Sequence, residues 1–195
     1  LSSGVRYAHM VAVMRASGAP VLMWKRDAVS AYRQVPMAPC EWWKCGTVGP
    51  GGLLVDTRLS FGSRVAPNKF QRLMMVALRE VMRRIHAFDE AHPPTAPGLR
   101  AWLTERRAAV GDGRMAAAVQ YIDDTCAVSV HDLVEATGRR RGHHHAEIFD
   151  EVMVEAGVEM AEGKKREESE VEMEALGVVV SVAEECVYYP EGKRL

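Results

Sequence analysis

The sequence predicts an α+β fold, an antiparallel sheet with helices packed on one face and a C-terminal β-hairpin. Three observations lead there. Short apolar runs are separated by Gly, Pro and Asp turn signals, and one long segment carries helical apolar periodicity. The order of elements is strand, hairpin, helix, strand–turn–strand, helix, hairpin. With 195 residues, 48% hydrophobic and 26% charged, the chain can build one domain around a real core.

Residues 5–17 read as a helix ended by Gly18-Ala19-Pro20. Residues 21–26, VLMWKR, read as a buried strand running into Asp27, after which AVSAYRQVP turns away. Two short strands, 42–48 and 53–59, flank the hairpin turn Gly49-Pro50-Gly51-Gly52. From 66 to 88, Phe70, Leu73, Ala77, Val81, Ile85 and Phe88 recur at helical spacing. Lys69, Arg72, Arg79 and Arg83 take the other side, and Pro67 fits the first turn. HPPTAPG (92–98) breaks that helix, and 99–110 reads as a helix within an insertion closed by Gly111-Asp112-Gly113. Strands 116–122 and 125–130 meet at Asp123-Asp124. A helix broken around 138–142 follows, with Phe149, Val152, Met153 and Ala156 as its buried stripe and Gly157 as C-cap. His143, His144 and His145, beside three arginines, read as an exposed polar kink rather than a metal site. Residues 171–181 and 186–190 form the final hairpin.

Composition narrows the function. No apolar run approaches the ~18 residues of a membrane span, and no signal peptide is visible. The four cysteines form no C-x-x-C pair, which points away from structural zinc and toward a reducing compartment, cytoplasmic or nuclear. The net charge of −1 argues against a uniformly basic nucleic-acid glove, but the charge is uneven. Residues 58–107 hold ten Lys/Arg against four Asp/Glu; residues 147–174 hold eleven Asp/Glu against three Lys/Arg. The chain starts at Leu1 rather than Met and ends just after Lys193-Arg194, as a fragment of a longer polyprotein would.

VQYIDDTCAV (119–128) places two acids inside an apolar run. Burying two like charges together is costly unless basic side chains, solvent at a turn or a divalent metal neutralises them. Asp27 ends the other buried strand. If the two strands are neighbours, three carboxylates converge. Such oxygen donors suit Mg²⁺, which takes one or two carboxylates plus substrate phosphates. Two ions about 3.5–4 Å apart can clamp an in-line phosphoryl displacement. An Asp-Asp turn and a strand-end Asp are ordinary features when taken singly.

Four stretches in order resemble the palm of a reverse transcriptase, an RNA-directed DNA polymerase. KRDAVSAYRQVP (25–36) resembles its first catalytic motif, and LSFGSRVAPNKFQRLM (59–74) the second, with A-P-x-x-F-Q. YIDD (121–124) is similar to its Y-x-D-D signature. GVEMAEGKK (157–165) followed by ALGVVVS (175–181) resembles the lysine motif and the hairpin behind it. The flavour is that of retrotransposons, DIRS-like or Metaviridae-like. The resemblance implies a ferredoxin-like palm over 21–181 with an insertion at about 86–115. Residues 1–20 would be a remnant of the fingers and N-terminal helix, and 182–195 the hairpin's end and the start of a missing thumb.

The resemblance also implies roles. Asp27, Asp123 and Asp124 match the metal-binding catalytic acids, holding two Mg²⁺ ions, with Mn²⁺ as the alternative ion. Ala28 and Val29 match positions whose backbone N–H groups meet the triphosphate. Tyr32 matches the aromatic floor that leaves no room for a 2′-hydroxyl. Phe61 and Gly62 match the pair packed on the incoming nucleotide and template, and Tyr121 the residue touching the primer end. Lys164 or Lys165 matches the lysine near the leaving pyrophosphate, and Leu176 and Gly177 the hairpin that grips the primer. The implied partners are a primed RNA or DNA template, dNTPs, and the fingers, thumb and RNase H domains of the same polyprotein, with no membrane. The chain departs from the pattern in having 26 residues before Asp27 and Ser60 where Pro is usual. Those departures leave a decayed or domesticated palm, binding nucleic acid or a protein, as the competing reading. A nucleotide cyclase or an RNA-dependent RNA polymerase would need a different hairpin signature.

Overall fold

The computed structural model describes residues 3–163 and 166–190. The chain runs through α1 (Ser3–Arg15) and β1 (Val21–Asp27), then 3₁₀ turns at Ala31–Gln34 and Pro39–Cys45. A hairpin of β2 (Gly46–Gly49) and β3 (Gly52–Val55) leads to α2 (Ala66–Ala91) and α3 (Pro97–Val110). β4 (Ala116–Tyr121) and β5 (Asp124–Val130) follow, then a small hairpin of β6 (Leu133–Val134) and β7 (Arg139–Arg140). The rest is α4 (Arg141–Glu155), β8 (Arg166–Ser169), β9 (Glu172–Ala175), β10 (Val178–Ser181) and β11 (Cys186–Tyr188).

The central sheet has the order β4-β5-β1-β8, with every pairing antiparallel. Side chains alternate across it. Leu22, Trp24 and Ala127 pack with Phe70, Val81 and Phe149 beneath α2 and α4. Val21, Met23, Cys126, Val128 and Val130 face Tyr7 and Val11 of α1, Leu99 and Leu103 of α3, and Met173 and Val180 of the second sheet, β11-β10-β9. The expected helical layer on one face is α2 with α4. The other face is covered as well, because VLMW has no polar alternation and both of its sides demand burial.

Local differences have local causes. The buried stripe of α2 is Phe70, Met74, Ala77, Val81, Ile85 and Asp89, and Leu73 lies outside it at 38% exposure. Residues 42–45 wind into a 3₁₀ turn rather than a strand. Arg166–Ser169, a charged segment not assigned as a strand from the sequence, pairs with β1 because Glu168 reaches the fully buried Arg26 at 2.7 Å. The histidines expected in a loop open α4 instead. His145 is fully buried, with Nδ1 3.1 Å from Ser129 Oγ and Nε2 2.9 Å from Asp89 Oδ1. Arg141, also buried, donates to Asp89 at 2.9 Å and to Asp132 at 2.6 Å. Burial pushes the Asp89 carboxyl up, but His145 and Arg141 outweigh it and hold the group below its ordinary value. This network ties α2 to α4 across the sheet, and losing one partner would strand a buried charge.

Candidate active site

β1 and β5 pair so that Asp27 lies directly opposite Asp124, and β4 pairs so that Tyr121 lies opposite Asp124. These three residues form one row across adjacent strands at the end of the sheet, where directly opposed Cβ atoms stand about 4.5–5.5 Å apart. Parity puts Asp27 and Asp124 on the same face as Lys25 and Cys126. The Cys126 thiol reports it: burial first, then the Asp124 charge, push its pKa up to about 12. Asp123 sits in the turn, and its carbonyl accepts the Ala28 N–H at 3.1 Å. The tip of the β4–β5 hairpin is thereby bonded to the residue after Asp27.

The turn itself is strained. Ile122 adopts φ 55°, a left-handed conformation that a β-branched residue rarely takes. Two glutamines hold it there. The Ile122 N–H donates to Gln71 Oε1 at 2.9 Å, and Gln71 Nε2 donates to the Gln120 carbonyl at 3.1 Å. Gln120 Nε2 donates to the Ile122 carbonyl at 3.0 Å. A third glutamine locks the segment after Asp27: Gln34 Nε2 donates to the Glu159 carbonyl at 2.8 Å, and the Glu159 N–H returns a bond to Gln34 Oε1 at 2.8 Å. None of the three was singled out by residue chemistry. Gln34 and Gln71 stood within quoted motifs, where their neutral amides gave no signal of a role.

Tyr32 is half-buried, with its ring 5.0 Å from Phe61 and 6.3 Å from Phe70. Burial, then the nearby Asp123 carboxylate and Tyr121, push its phenol pKa up, which places the ring beside the acidic turn. Phe61 is 72% exposed and precedes Gly62, whose φ of 87° only glycine takes without strain. Leu176 and Gly177, at φ 54° and 82°, form the two-residue turn between β9 and β10 of the second sheet. Lys164 and Lys165 lie outside the described residues.

One assignment is corrected. The Ala28 and Val29 N–H groups are spent within the chain, on the carbonyls of Asp123 and Glu159 at 3.1 and 3.0 Å. Among the described residues nothing accepts from the N–H groups of Ser30 and Ala31, the next two along, where Ser30 turns at φ 46°. Arg83 faces outward, opposite the apolar stripe of α2 as expected, and forms a two-bond pair with Glu80 at 2.7 Å. Among the described residues, no group of three or more His, Cys, Asp or Glu side chains is arranged around a metal-sized point.

No family model and no curated protein matches the chain by sequence. Solved structures do match its fold. A foamy viral protease-reverse transcriptase in complex with double-stranded DNA aligns over 84% of this chain and 21% of its own, at 16% identity and a TM-score of 0.54. The prototype foamy virus protease-reverse transcriptase CSH mutant covers 86% of this chain and 16% of its own, at 17% identity and a TM-score of 0.52. A further foamy viral protease-reverse transcriptase complex with dsDNA gives 82%, 25%, 17% and 0.52. The fold is therefore α+β and like a reverse-transcriptase palm. The chain spans about a fifth of the length of the first of these structures. No described helix is long and apolar enough to cross a membrane.

Proposed function

We propose that the chain is the palm fragment of a retroelement reverse transcriptase, DIRS-like or Metaviridae-like, in which the parent protein adds dNTPs to a primer 3′-hydroxyl on an RNA or DNA template. The β1–β5 register carries the reading. It sets Asp27 opposite Asp124 and bonds the turn residue Asp123 to the backbone beside Asp27. Buried Asp27 and half-buried Asp123 and Asp124 bring carboxylates from two strands and their turn to one sheet end, an oxygen donor set suited to a divalent cation.

Asp27, Asp123 and Asp124 are the donors that would hold Mg²⁺ or Mn²⁺. The all-oxygen set fits ions of this class, which complete their coordination with waters and substrate phosphates rather than a full protein cage. When bound, such ions activate the attacking hydroxyl and balance charge on the leaving oxygen. The chain's own groups do the rest. Tyr32 forms the wall that rejects a 2′-hydroxyl, and Phe61, tilted 59° against it, offers its exposed surface to a base or sugar. The Ser30 and Ala31 N–H groups are the local donors for phosphate. Tyr121, 52% exposed in the acid row, is placed for the primer end, and the Leu176-Gly177 turn for the primer backbone. Lys164 or Lys165 serves the leaving pyrophosphate, and fingers, thumb and RNase H come from the rest of a polyprotein acting in the cytoplasm or nucleus.

The test is primer extension by the full-length parent with Mg²⁺. Asp123→Asn lowers extension by several orders of magnitude, and a wild-type rate would remove the metal assignment. One observation favours a second reading, a non-catalytic palm: the described side chains are not gathered around a metal point. A Mn²⁺ titration separates the two. Binding that Asp27→Asn abolishes supports the polymerase, and no binding even with primer–template and dNTP supports the decayed palm.

A further inference from the structure

β4 is an edge strand of the central sheet, and its outer edge lies at the floor of a groove between α1 and α2. Two adjoining cavities of about 550 and 480 Å³ run along it and share Met10, Met82, Arg114 and Ala118 as lining. The groove passes Gln120 on its way to the acidic turn. Three features of it converge on one kind of occupant.

The first is the backbone. The Val130 N–H donates to Met115 O at 2.8 Å, and antiparallel alternation from that bond aims the N–H and C=O groups of Ala116, Ala118 and Gln120 away from β5. Gln71 already takes the Gln120 carbonyl with its side-chain amide, imitating one residue of a neighbouring strand. Among the described residues, the Ala118 N–H and C=O have no such partner. The second is charge. Arg6 and Arg79 line the groove, both exposed and, among the described residues, without a hydrogen bond or ion pair. The one acid in the lining, Asp112, is taken by Arg106 and Arg114 at 2.8 Å each. The third is the apolar wall of Met10, Met75, Leu78 and Met82, in which flexible methionines adapt to varied side chains.

We propose that this groove docks an extended acidic peptide segment, which adds to β4 as a further strand, beginning where Gln71 ends. Its backbone pairs with Ala118, its apolar side chains enter the methionine wall, and its carboxylates meet Arg6 and Arg79. A nucleic-acid backbone would satisfy the arginines, but phosphates only accept hydrogen bonds and cannot answer the Ala118 carbonyl. A second copy pairing β4 to β4 would set two sets of arginines against each other.

The test uses the intact chain, a fluorescein-labelled peptide of alternating valine and glutamate, and fluorescence anisotropy at low salt. Saturable binding is expected, weakened at least about tenfold by Arg79→Glu and by Arg6→Glu, each with an unchanged circular dichroism spectrum. Ala118→Pro removes only an outward N–H and is expected to weaken binding similarly. So is methylation of alternate peptide nitrogens on the pairing edge. Absence of saturable binding, or equal binding by the arginine variants or the methylated peptide, would overturn the proposal. Two further results would overturn it: an oligothymidylate that binds where the peptide does not, and an Arg79-dependent dimer that forms in its place.

Discussion

Replacing Gln71 by alanine tests whether the acidic turn is held by its neighbours rather than by its own sequence. The substitution removes two hydrogen bonds, at 2.9 and 3.1 Å, from a half-buried position. Each contributes about 1 kcal/mol net, so the direct loss is about 2 kcal/mol. Ile122 also holds a left-handed conformation that costs about 1–3 kcal/mol, and Gln71 anchors its N–H. Without that anchor the turn relaxes and the strain is partly refunded, which lowers the net destabilisation to about 1 kcal/mol. For a urea slope of about 2 kcal/mol per molar, the unfolding midpoint falls by about 0.5 M. Gln71→Glu keeps the acceptor for Ile122 but turns a carboxylate oxygen on the Gln120 carbonyl, so its midpoint is no higher than that of the alanine variant. On the proposed polymerase reading, the relaxed turn misplaces Asp123, and primer extension by the parent protein falls by about a hundredfold. A midpoint shift under about 0.2 M for Gln71→Ala would refute this account of the turn.

Three other outcomes follow from the geometry. On the proposed polymerase reading, Tyr32→Ala opens the wall beside Asp123, and the parent protein is expected to incorporate ribonucleotides in competition with dNTPs; unchanged sugar discrimination removes Tyr32 from that role. His131 is fully buried, and among the described residues neither ring nitrogen has a hydrogen-bond partner. Burial lowers its pKa to about 4. With an unfolded value near 6.5, the unfolded chain binds the extra proton between about pH 6.5 and 4. Stability is complete above that window and falls through it by up to a few kcal/mol, and His131→Phe flattens this part of the urea-midpoint profile. Gly177→Ala forces an alanine to φ 82° and costs about 1–2 kcal/mol, read by thermal denaturation, while a neutral result would mean the turn re-forms differently.

Much of the architecture was written in local patterns. The apolar run VLMW announces a strand buried on both sides, the four-residue spacing of α2 announces its buried face, and Gly157, at φ 68°, follows the Ala156 cap that ends α4, one residue beyond the expected cap position. The acids stood out because charge in an apolar run needs a reason, and Tyr32 through its motif. These signals survive in one dimension because they depend on neighbours a few residues away, through helical or strand periodicity and turn chemistry.

Contacts between distant segments decided the rest. Arg166–Ser169 received no strand assignment from its pattern, yet it pairs with β1 because the buried Arg26 needs Glu168 and Asp150. His145 looked like part of a polar loop, yet it is enclosed because Asp89 arrives from the far end of α2. Ala28 and Val29 had their N–H groups claimed by carbonyls 95 and 130 residues away, of Asp123 and Glu159. A hydrogen bond gives its strength to whichever partner folding brings within 3 Å, and sequence separation does not enter that distance. Residue types and their spacing therefore announced the strands, the helices and the acids, while the glutamine clamps and the open edge of β4 exist only once the chain has closed on itself.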